Sequence, residues 1–442
     1  MAKKPASKPK AGDRVTIEMT DETIEGVLMP QEDESFVIVK LKSGYNMGVA
    51  RDRIRRIRIE EAFLAPKEEP GMKMHLRDLP TISILHTGGT IASKVDYHTG
   101  GVIARFSPED ILRMFPKLRD VANVKSRLIA NMFSEDMRFA HYKLLLDAIE
   151  EEIAAGVDGI IITHGTDTMH YTSAALAFSL ENCPLPILLV GSQRSSDRGS
   201  SDAAMNLLCA ATFATKTDYC GVAICMHENM DDDACLILPP CKTRKLHTSR
   251  RDAFRPVNDV PIARIAWSDG NGGNITYLKE DYQKKPKEKL IVRNRFAEKV
   301  GIIKCHPNMF PEQFLFFKGY KGLVIEGTGL GQAPVGVPND LAKLHAEILS
   351  AIKKIIESGC AVVMTSQCVF GGVQMNVYSD AIYLERAGVI SADDMLTEVA
   401  FIKLAWALGN FKQDEAKQIL RANLRGEINE RHGIEFIDKD WR

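Results

Sequence analysis

The stretch that decides the fold is ISILHTGGTIAS, residues 82–93. Its first half is a short apolar run, which is typical of a buried strand. Thr-Gly-Gly-Thr follows at residues 87–90, and glycines allow a sharp turn and a close approach of the backbone to a ligand. In open α/β sheets, ligands bind beyond the carboxyl ends of the strands. The pattern therefore predicts a strand end that carries hydroxyl groups, with a purely structural turn as the alternative.

A second stretch, GIIITHGTDTM at residues 159–169, has the same order of features. A β-branched run is followed by a glycine, by hydroxyl groups and by a carboxylate. Two strand ends with complementary chemistry indicate a site more strongly than either one alone. Together the two motifs resemble those of the bacterial-type L-asparaginase family, and the resemblance extends over roughly residues 80–410.

The composition is that of a globular protein. Of the 442 residues, 45% are hydrophobic and 26% are charged, and the formal net charge is −1. These values predict two to four domains and give no sign of a polyelectrolyte partner for the whole chain. No apolar run reaches the ~18 residues of a membrane span, so we expect no membrane partner. Residues 1–11 are basic and contain prolines without an apolar core, which predicts a disordered tail and not a signal peptide.

A small all-β domain is predicted at residues 12–64, where short apolar and polar runs alternate between turn residues. The spacing favours a small barrel. Its last run is basic, and we expect a solvated outer face there, with RNA contact as the alternative, because no aromatic residues lie between the arginines. Residues 65–80 contain three prolines and are predicted to be a linker. The basic side chains are Arg51, Arg53, Arg55, Arg56 and Arg58.

Strand and helix patterns alternate from residue 81 onward, which predicts an α/β fold with mostly parallel sheets and helices on both faces. We expect one domain at 81–285 and a second at 297–442, with a largely polar stretch at 267–294 before the second block begins. Apolar periodicity predicts helices at 142–153, 339–357 and 392–408. Buried strands are predicted at 160–162, 187–190, 222–225, 300–303, 322–325 and 361–364.

The sequence lacks the motifs of several common cofactor-binding and hydrolytic sites. EGTGLG at 326–331 has GxGxG spacing and not the GxGxxG of a dinucleotide loop, and neither a Walker A sequence nor a GxSxG elbow is present. The nine cysteines include no CxxC pair, so we expect a reduced, cytoplasmic compartment and no metal site.

A threonine hydroxyl becomes a nucleophile only when a base removes its proton. The asparaginase resemblance implies that Thr90 is this nucleophile and that Thr166, Asp167 and Lys245 handle the proton. Lys245 is located by counting back from Asp-Ala-Phe at 252–254. From the residues alone, Thr166 remains an alternative attacking group.

The resemblance also implies which residues hold the substrate. Ser134 and Glu135 correspond to the contacts with the amino-acid head, although the family has Gln where this chain has Glu135. Gly89 lies in the glycine turn, and Tyr97 corresponds to a residue of the mobile lid. For His164 we expect a hydrogen-bonded histidine at a strand end and not a catalyst.

The residues before the TGGT motif distinguish this chain from plain asparaginases, which begin close to that motif. With this extension, and with the segments at 93–97 and 191–197, the chain resembles the D-subunit family of the archaeal glutamyl-tRNA(Gln) amidotransferases. The resemblance implies an amidase module that hydrolyses the side-chain amide of Gln or Asn and releases ammonia. It places the activity among carbon–nitrogen ligases that use glutamine as amido donor.

That resemblance also implies partners. An E-type subunit, with ATP and Mg²⁺ bound to it, would activate Glu on tRNA(Gln) and receive the ammonia, while this chain would need no cofactor of its own. We expect a homodimer of this chain within a heterotetramer. Two alternatives remain open: a free-standing cytoplasmic L-asparaginase with an extra N-terminal domain, and a non-catalytic binding protein of the same fold.

Overall fold

A computed structural model of the protein describes residues 9–29, 35–42, 46–62, 78–88, 93–95, 102–104, 107–194, 200–268 and 272–430. Within these residues a small antiparallel sheet is followed by two α/β domains, each built on its own main sheet. No helix in these ranges is both long enough and apolar enough to cross a membrane.

The first sheet is antiparallel, and its strands pair in the order β4-β3-β2-β1-β5. One face is apolar and buries side chains such as Val15, Ile17 and Val39. This confirms the predicted small all-β domain. In the described residues β4 and β5 form the two edges of the sheet. The strands are β1 (Arg14–Met19), β2 (Thr23–Leu28), β3 (Phe36–Lys40), β4 (Asn46–Ala50) and β5 (Ile54–Glu61).

The basic strand β5 does not follow strict alternation, and a bulge explains why. Met19 of β1 pairs with Ile54, but Glu18 pairs with Arg56, so Arg55 is an extra residue in the ladder. This places Ile54 and Ile57 on the same apolar face although they are three positions apart. The arginines of this segment are exposed. Two of them form ion pairs within the N-terminal domain, Arg58 with Glu18 and Arg53 with Asp21.

The central domain is built on an eight-stranded sheet of order β18-β17-β14-β13-β12-β10-β6-β9. Its strands from β13 to β9 are parallel, and the other three pair antiparallel. The strands of the domain are β6 (Thr81–Gly88), β7 (Ser93–Val95), β8 (Val102–Ala104), β9 (Asn123–Met132), β10 (Gly159–Thr163), β11 (Leu180–Glu181), β12 (Pro186–Val190), β13 (Gly221–His227), β14 (Ala234–Leu238), β15 (Thr243–Lys245), β16 (Phe254–Pro256), β17 (Ala263–Ser268), β18 (Gly272–Tyr277) and β19 (Ile291–Val292).

Helices cover both faces of this sheet, as predicted. The helices are α1 (Pro108–Met114), α2 (Phe139–Ala154), α3 (Met169–Ser179) and α4 (Ala203–Lys216). Helices α2 and α3 contribute to one apolar core, whereas α1 and α4 contribute to the core on the opposite face. The start of α1 is set by Ser107, whose hydroxyl accepts the Asp110 N–H, and by Pro108 in the first turn.

The end of β6 is constrained by Gly88. Its φ of 117° lies in the region that favours glycine. A Cβ at this position would lie 2.2 Å from the carbonyl oxygen of Met132 on the neighbouring strand. The register of β6 against β9 also shifts between His86 and Gly88. The first glycine of the TGGT motif is therefore required by packing as well as by backbone conformation.

The C-terminal domain has a parallel four-stranded sheet of order β20-β21-β22-β23. Helices α5 to α7 share one core with it, and α8 and α9 share another. Helix α8 also packs on α3 of the central domain, where Trp406 stacks on Phe178 with ring centroids 5.6 Å apart. The elements are β20 (Val300–Lys304), α5 (Pro311–Leu315), β21 (Gly322–Gly327), α6 (His345–Glu357), β22 (Ala361–Ser366), α7 (Ser379–Arg386), β23 (Ile390–Ser391), α8 (Thr397–Asn410) and α9 (Gln413–Arg421).

Two predicted helix starts are wrong. The helix predicted from residue 339 begins at His345, because Asn339 instead caps a short 3₁₀ helix, Asp340–Ala342. The helix predicted from residue 392 begins at Thr397. Asp393 has a φ of 52°, which a right-handed helix excludes. The polar stretch at 267–294 contains the edge strand β18 and the short strand β19, which the sequence pattern did not predict.

His86 links the three strands at the edge of the central sheet that carries both threonine motifs. Its ring is fully buried, with Nδ1 2.8 Å from Thr163 Oγ1 on β10 and Nε2 3.0 Å from Ser126 Oγ on β9. Burial lowers the pKa of His86 to about 3. The native state therefore holds a neutral imidazole at this position.

Acid should therefore destabilise the protein before its carboxylates are protonated. Below pH 6.5 the unfolded chain binds a proton at His86 that the native state does not, so stability falls with pH until the native pKa is reached. Between pH 7 and 5 we expect His86 to contribute a loss of about 2 kcal/mol in the free energy of unfolding. Urea unfolding of His86→Gln should show a pH dependence that is weaker by this amount. The exposed His306→Gln serves as control, and equal pH dependence in all three proteins would contradict the assignment.

Candidate active site

The strand β15 carries Lys245 toward the carboxyl edge of the parallel sheet. It pairs with β16 as a short antiparallel ladder in which Lys245 lies opposite the buried Phe254. Backbone hydrogen bonds extend the ladder beyond both ends, from Val257 N to Lys242 O and from Leu246 N to Ala253 O. A lysine within such a ladder has a fixed backbone, so only its side chain remains to be ordered.

The Lys245 amine connects two of the predicted site residues. Its Nζ donates to Thr166 Oγ1 at 2.8 Å and to Asp167 Oδ1 at 2.7 Å. The Lys245 side chain is 11% exposed, whereas that of Asp167 is 66% exposed. The amine is thus shielded from solvent on most sides, while the carboxylate that holds it faces outward. Three of the four residues predicted to be catalytic meet at one point.

The turn that carries Thr166 and Asp167 lies between β10 and α3 and is held by close packing. A Cβ on Gly165 would lie 2.7 Å from Ser134 Cβ, so only glycine fits there. Thr168 Oγ1 donates to the Ser134 carbonyl at 2.6 Å. On the other side a Cβ on Gly191 would lie 2.7 Å from Thr166 Cγ2. Ser134 is therefore held against the turn that carries Thr166 and Asp167.

The histidines around this turn are neutral at physiological pH. His164 Nδ1 donates to Gly165 O at 2.7 Å, so Nε2 accepts from Thr172 Oγ1 at 2.9 Å. Burial lowers the pKa of His164 to about 4. Burial, followed by the charges of Arg244 and Lys245, lowers the pKa of His170 to about 3. His164 is a hydrogen-bonded histidine at a strand end, as predicted. The amine that contacts Thr166 is that of Lys245.

Glu135 lines an open cleft of about 640 Å³ beside the Thr166 turn. The cleft reaches from the central domain to the C-terminal domain, and its walls include Thr168, Tyr171, Glu298 and Phe401. Glu135 is exposed, unlike its neighbour Ser134, which is buried. The cleft adjoins the Lys245 group but is not lined by it.

Three predicted site residues, Gly89, Thr90 and Tyr97, lie outside the described residues. Gly88, the last described residue of β6, precedes Thr90 by two positions. Strand β6 pairs in parallel with β10, where His86 lies opposite Thr163. In the described part of the chain, no group of three or more His, Cys, Asp or Glu side chains is placed to hold a metal ion. All nine cysteines are described, and none forms a disulfide.

Some residues that shape this site were not predicted from the sequence. Gly191 belongs to the segment 191–197, which carried only the family resemblance. Its position directly after the strand β12 could have indicated that it lies at the site. Thr168 is within the second motif, but nothing local indicates that its hydroxyl binds the Ser134 backbone. Such contacts join segments 34 residues apart and are set by the sheet order.

Family models match nearly the whole chain. The model for the N-terminal domain of asparaginase matches residues 81–282, and the model for the glutaminase/asparaginase C-terminal domain matches residues 299–420. A third, the GatD N-terminal domain, matches residues 10–59.

Solved structures with this fold include two asparaginases. The thermostable L-asparaginase from Thermococcus kodakarensis has 31% sequence identity and a TM-score of 0.69, and the match covers 79% of this chain and 99% of that protein. L-asparaginase I from Vibrio cholerae has 28% identity and a TM-score of 0.67 with the same coverage. The predicted asparaginase-like α/β fold is thereby confirmed.

Two relatives extend the similarity to the N-terminal domain. The D subunit of the glutamyl-tRNA(Gln) amidotransferase of Pyrococcus furiosus is 45% identical over 413 residues, 91% of this chain and 90% of that protein. Its counterpart in Methanococcus maripaludis is 44% identical over 430 residues, 96% of this chain and 99% of that protein. With the three domain matches in the same order, the chain belongs to the family of glutamyl-tRNA(Gln) amidotransferase D subunits, an asparaginase-like family.

Proposed function

We propose that this chain is the amide-hydrolysing subunit of a cytoplasmic amidotransferase that converts Glu-tRNA(Gln) to Gln-tRNA(Gln). It hydrolyses the side-chain amide of Gln or Asn and supplies the ammonia to an E-type partner subunit. The family membership supports the overall reaction. The observation that carries the role of this chain is the Lys245 amine, held between Thr166 Oγ1 and Asp167 Oδ1 at the carboxyl edge of the sheet.

In the proposed reaction, Thr90 Oγ attacks the amide carbon and gives up its proton. The C–N bond breaks, the nitrogen takes up that proton, and ammonia leaves an acyl ester on Thr90. Water then hydrolyses the ester, which releases the acid and restores the hydroxyl. Thr166 and Lys245 pass the proton, and Asp167 holds the amine in place. Backbone N–H groups of the Gly88–Gly89 turn stabilise the oxyanion.

The substrate is held at its amino-acid head by Ser134 and Glu135 in this proposal, and Tyr97 covers it. Ser134 is packed against Gly165, next to the reacting group. Glu135 is an exposed carboxylate at the edge of the cleft, where it can pair with the α-ammonium group of a free amino acid. Both contacts select a small amino-acid amide rather than a protein substrate.

No cofactor takes part in these steps, because hydrolysis of an amide requires only the nucleophile, the proton path and water. Activation of the tRNA-bound carboxylate does require ATP and Mg²⁺. We therefore assign that step to the partner subunit, in a heterotetramer that contains two copies of each chain. The N-terminal sheet is assigned to the assembled complex, because none of its residues belongs to the amidase group.

Removal of the proton path should abolish ammonia release without unfolding the protein. We expect Lys245→Ala and Thr166→Ala each to lower kcat for ammonia release at least about a hundredfold. Lys279→Ala is a matched control, because Lys279 also pairs with an aspartate at 2.6 Å, away from the Thr166 turn. Ammonia release is measured from Gln and from Asn, with the partner subunit and Glu-tRNA(Gln) present. Wild-type kcat in Lys245→Ala would remove the lysine from the mechanism.

Dependence on a partner subunit distinguishes the proposed function from that of a free-standing asparaginase. If ammonia is delivered to a second active site, then the chain should purify with an E-type subunit in equal amounts. Gln-tRNA(Gln) should form only when both subunits, ATP and an amide donor are present. Deletion of residues 1–75 should weaken this coupled reaction more than it weakens amide hydrolysis.

The opposite result is equally specific. Amide hydrolysis at the same rate with and without partner and tRNA, with no Gln-tRNA(Gln) formed, would support the free-standing asparaginase instead.

A further inference from the structure

Side chains on and next to β15 point in two opposite directions. In a strand, successive side chains point to opposite faces. Thr243 and Lys245 lie on one face, where the Thr243 hydroxyl bonds the Pro239 carbonyl and the Lys245 amine bonds Thr166. Lys242 and Arg244 point the other way, toward the C-terminal domain. The strand that presents the amine is therefore also a domain contact.

Lys242 is fixed by a buried ion pair across the domain boundary. Its Nζ lies 2.6 Å from Asp394 Oδ2, and both side chains are only 1% exposed. The amine also donates to the Asp394 carbonyl at 3.1 Å. Asn429 donates its backbone N–H and its side-chain amide to the same carboxylate. Burial lowers the pKa of Lys242, and the hydrogen bond and charge of Asp394 oppose that shift. The charged form of Lys242 therefore depends on the close contact with Asp394.

Arg244 makes the second connection. Its guanidinium lies 3.0 Å from Glu398 Oε1, and the Glu398 side chain is 8% exposed. Glu398 is in the first turn of α8, and Asp394 precedes that helix. Residues at and just before the start of α8 thus form ion pairs with Lys242 and Arg244, which lie three positions and one position before Lys245. Helix α8 itself contributes buried side chains to two apolar cores.

The position of the Lys245 amine depends on the backbone of this strand. A hydrogen bond of 2.8 Å is lost after a displacement of about 1 Å, and misplacement of this size can lower a rate about a hundredfold. We propose that Asp394 and Glu398 are positioning residues that hold β15, through Lys242 and Arg244, so that Lys245 reaches Thr166. The C-terminal domain thereby sets the geometry of an amine that belongs to the central domain. This inference rests on the proposed role of Lys245 in amide hydrolysis.

Glu398→Gln tests the connection with a minimal change in shape. We expect kcat for ammonia release to fall about tenfold while KM changes less than about twofold, because the substrate contacts are not altered. The rates are measured well below the thermal unfolding midpoint of the variant, so that a loss of stability does not itself lower kcat. Glu228→Gln is the matched control, because Glu228 forms a half-buried pair with Arg264 on another strand. It should retain wild-type kinetics.

Arg244 provides two further variants. Arg244→Lys keeps a cation opposite Glu398 and should retain more of the wild-type kcat than Arg244→Met does. If Glu398→Gln unfolds the protein, Arg244→Met combined with Glu398→Gln removes both charges, leaves no unpaired buried ion and should restore folding. This folded double variant should still show the reduced kcat. A folded double variant with wild-type kcat would overturn the proposal.

A double-mutant cycle with Lys245→Ala shows whether the effect passes through the amine. In the Lys245→Ala background, Glu398→Gln should have no further effect on the residual rate. The same tenfold loss in both backgrounds would show that Glu398 acts by another route. If Lys245→Ala is itself fully active, the proposed function of the lysine fails. If Lys245→Ala is inactive and Glu398→Gln is normal, only the positioning role fails.

Discussion

The parallel pairing of β6 with β10 is the constraint on which the site depends. His86 lies opposite Thr163 in this pairing, so the strands that lead into the TGGT and THGTDTM motifs end at the same edge of the sheet. The alignment is maintained by the buried His86 ring between neighbouring strands and by the close approach of Gly88 to Met132. In such a sheet the strands themselves can remain apolar, because the polar residues of the site follow the carboxyl ends of the strands.

The lysine reaches this edge by a different route. It belongs to a short hairpin outside the main sheet, and its position is defined by contacts on both sides of that hairpin. Toward the central domain it bonds Thr166 and Asp167, and toward the C-terminal domain its neighbours form ion pairs. Loss of one partner of a buried ion pair leaves an uncompensated charge, so the Lys242–Asp394 pair holds this segment against the C-terminal domain. The proposed catalytic unit therefore includes both α/β domains, although none of the residues that handle the proton comes from the second.

Local sequence patterns predicted much of this arrangement. The apolar runs before each threonine motif identified β6 and β10. Lys245 was located through the asparaginase resemblance, by counting back from Asp-Ala-Phe. The strand β18 was missed because it is an edge strand, and edge strands remain polar on the sides they expose. The start of α8 was misplaced because the left-handed conformation of Asp393 interrupts an otherwise apolar pattern. Asp394 and Glu398 could not be predicted, because Asp394 is 152 positions from Lys242 and no local pattern encodes such a contact.

Acyl-enzyme trapping tests the central claim most directly, that Thr90 attacks the amide and that Lys245 is needed for this step. The complete complex, incubated with Gln and quenched in acid, is digested with trypsin and analysed by mass spectrometry. Residues 78–94 and 144–194 form separate tryptic peptides, so Thr90 and Thr166 are distinguished. We predict a glutamyl ester on Thr90 in the wild type and its loss in Lys245→Ala. Ammonia release without an ester on Thr90, or with an ester on the peptide 144–194, would contradict this claim.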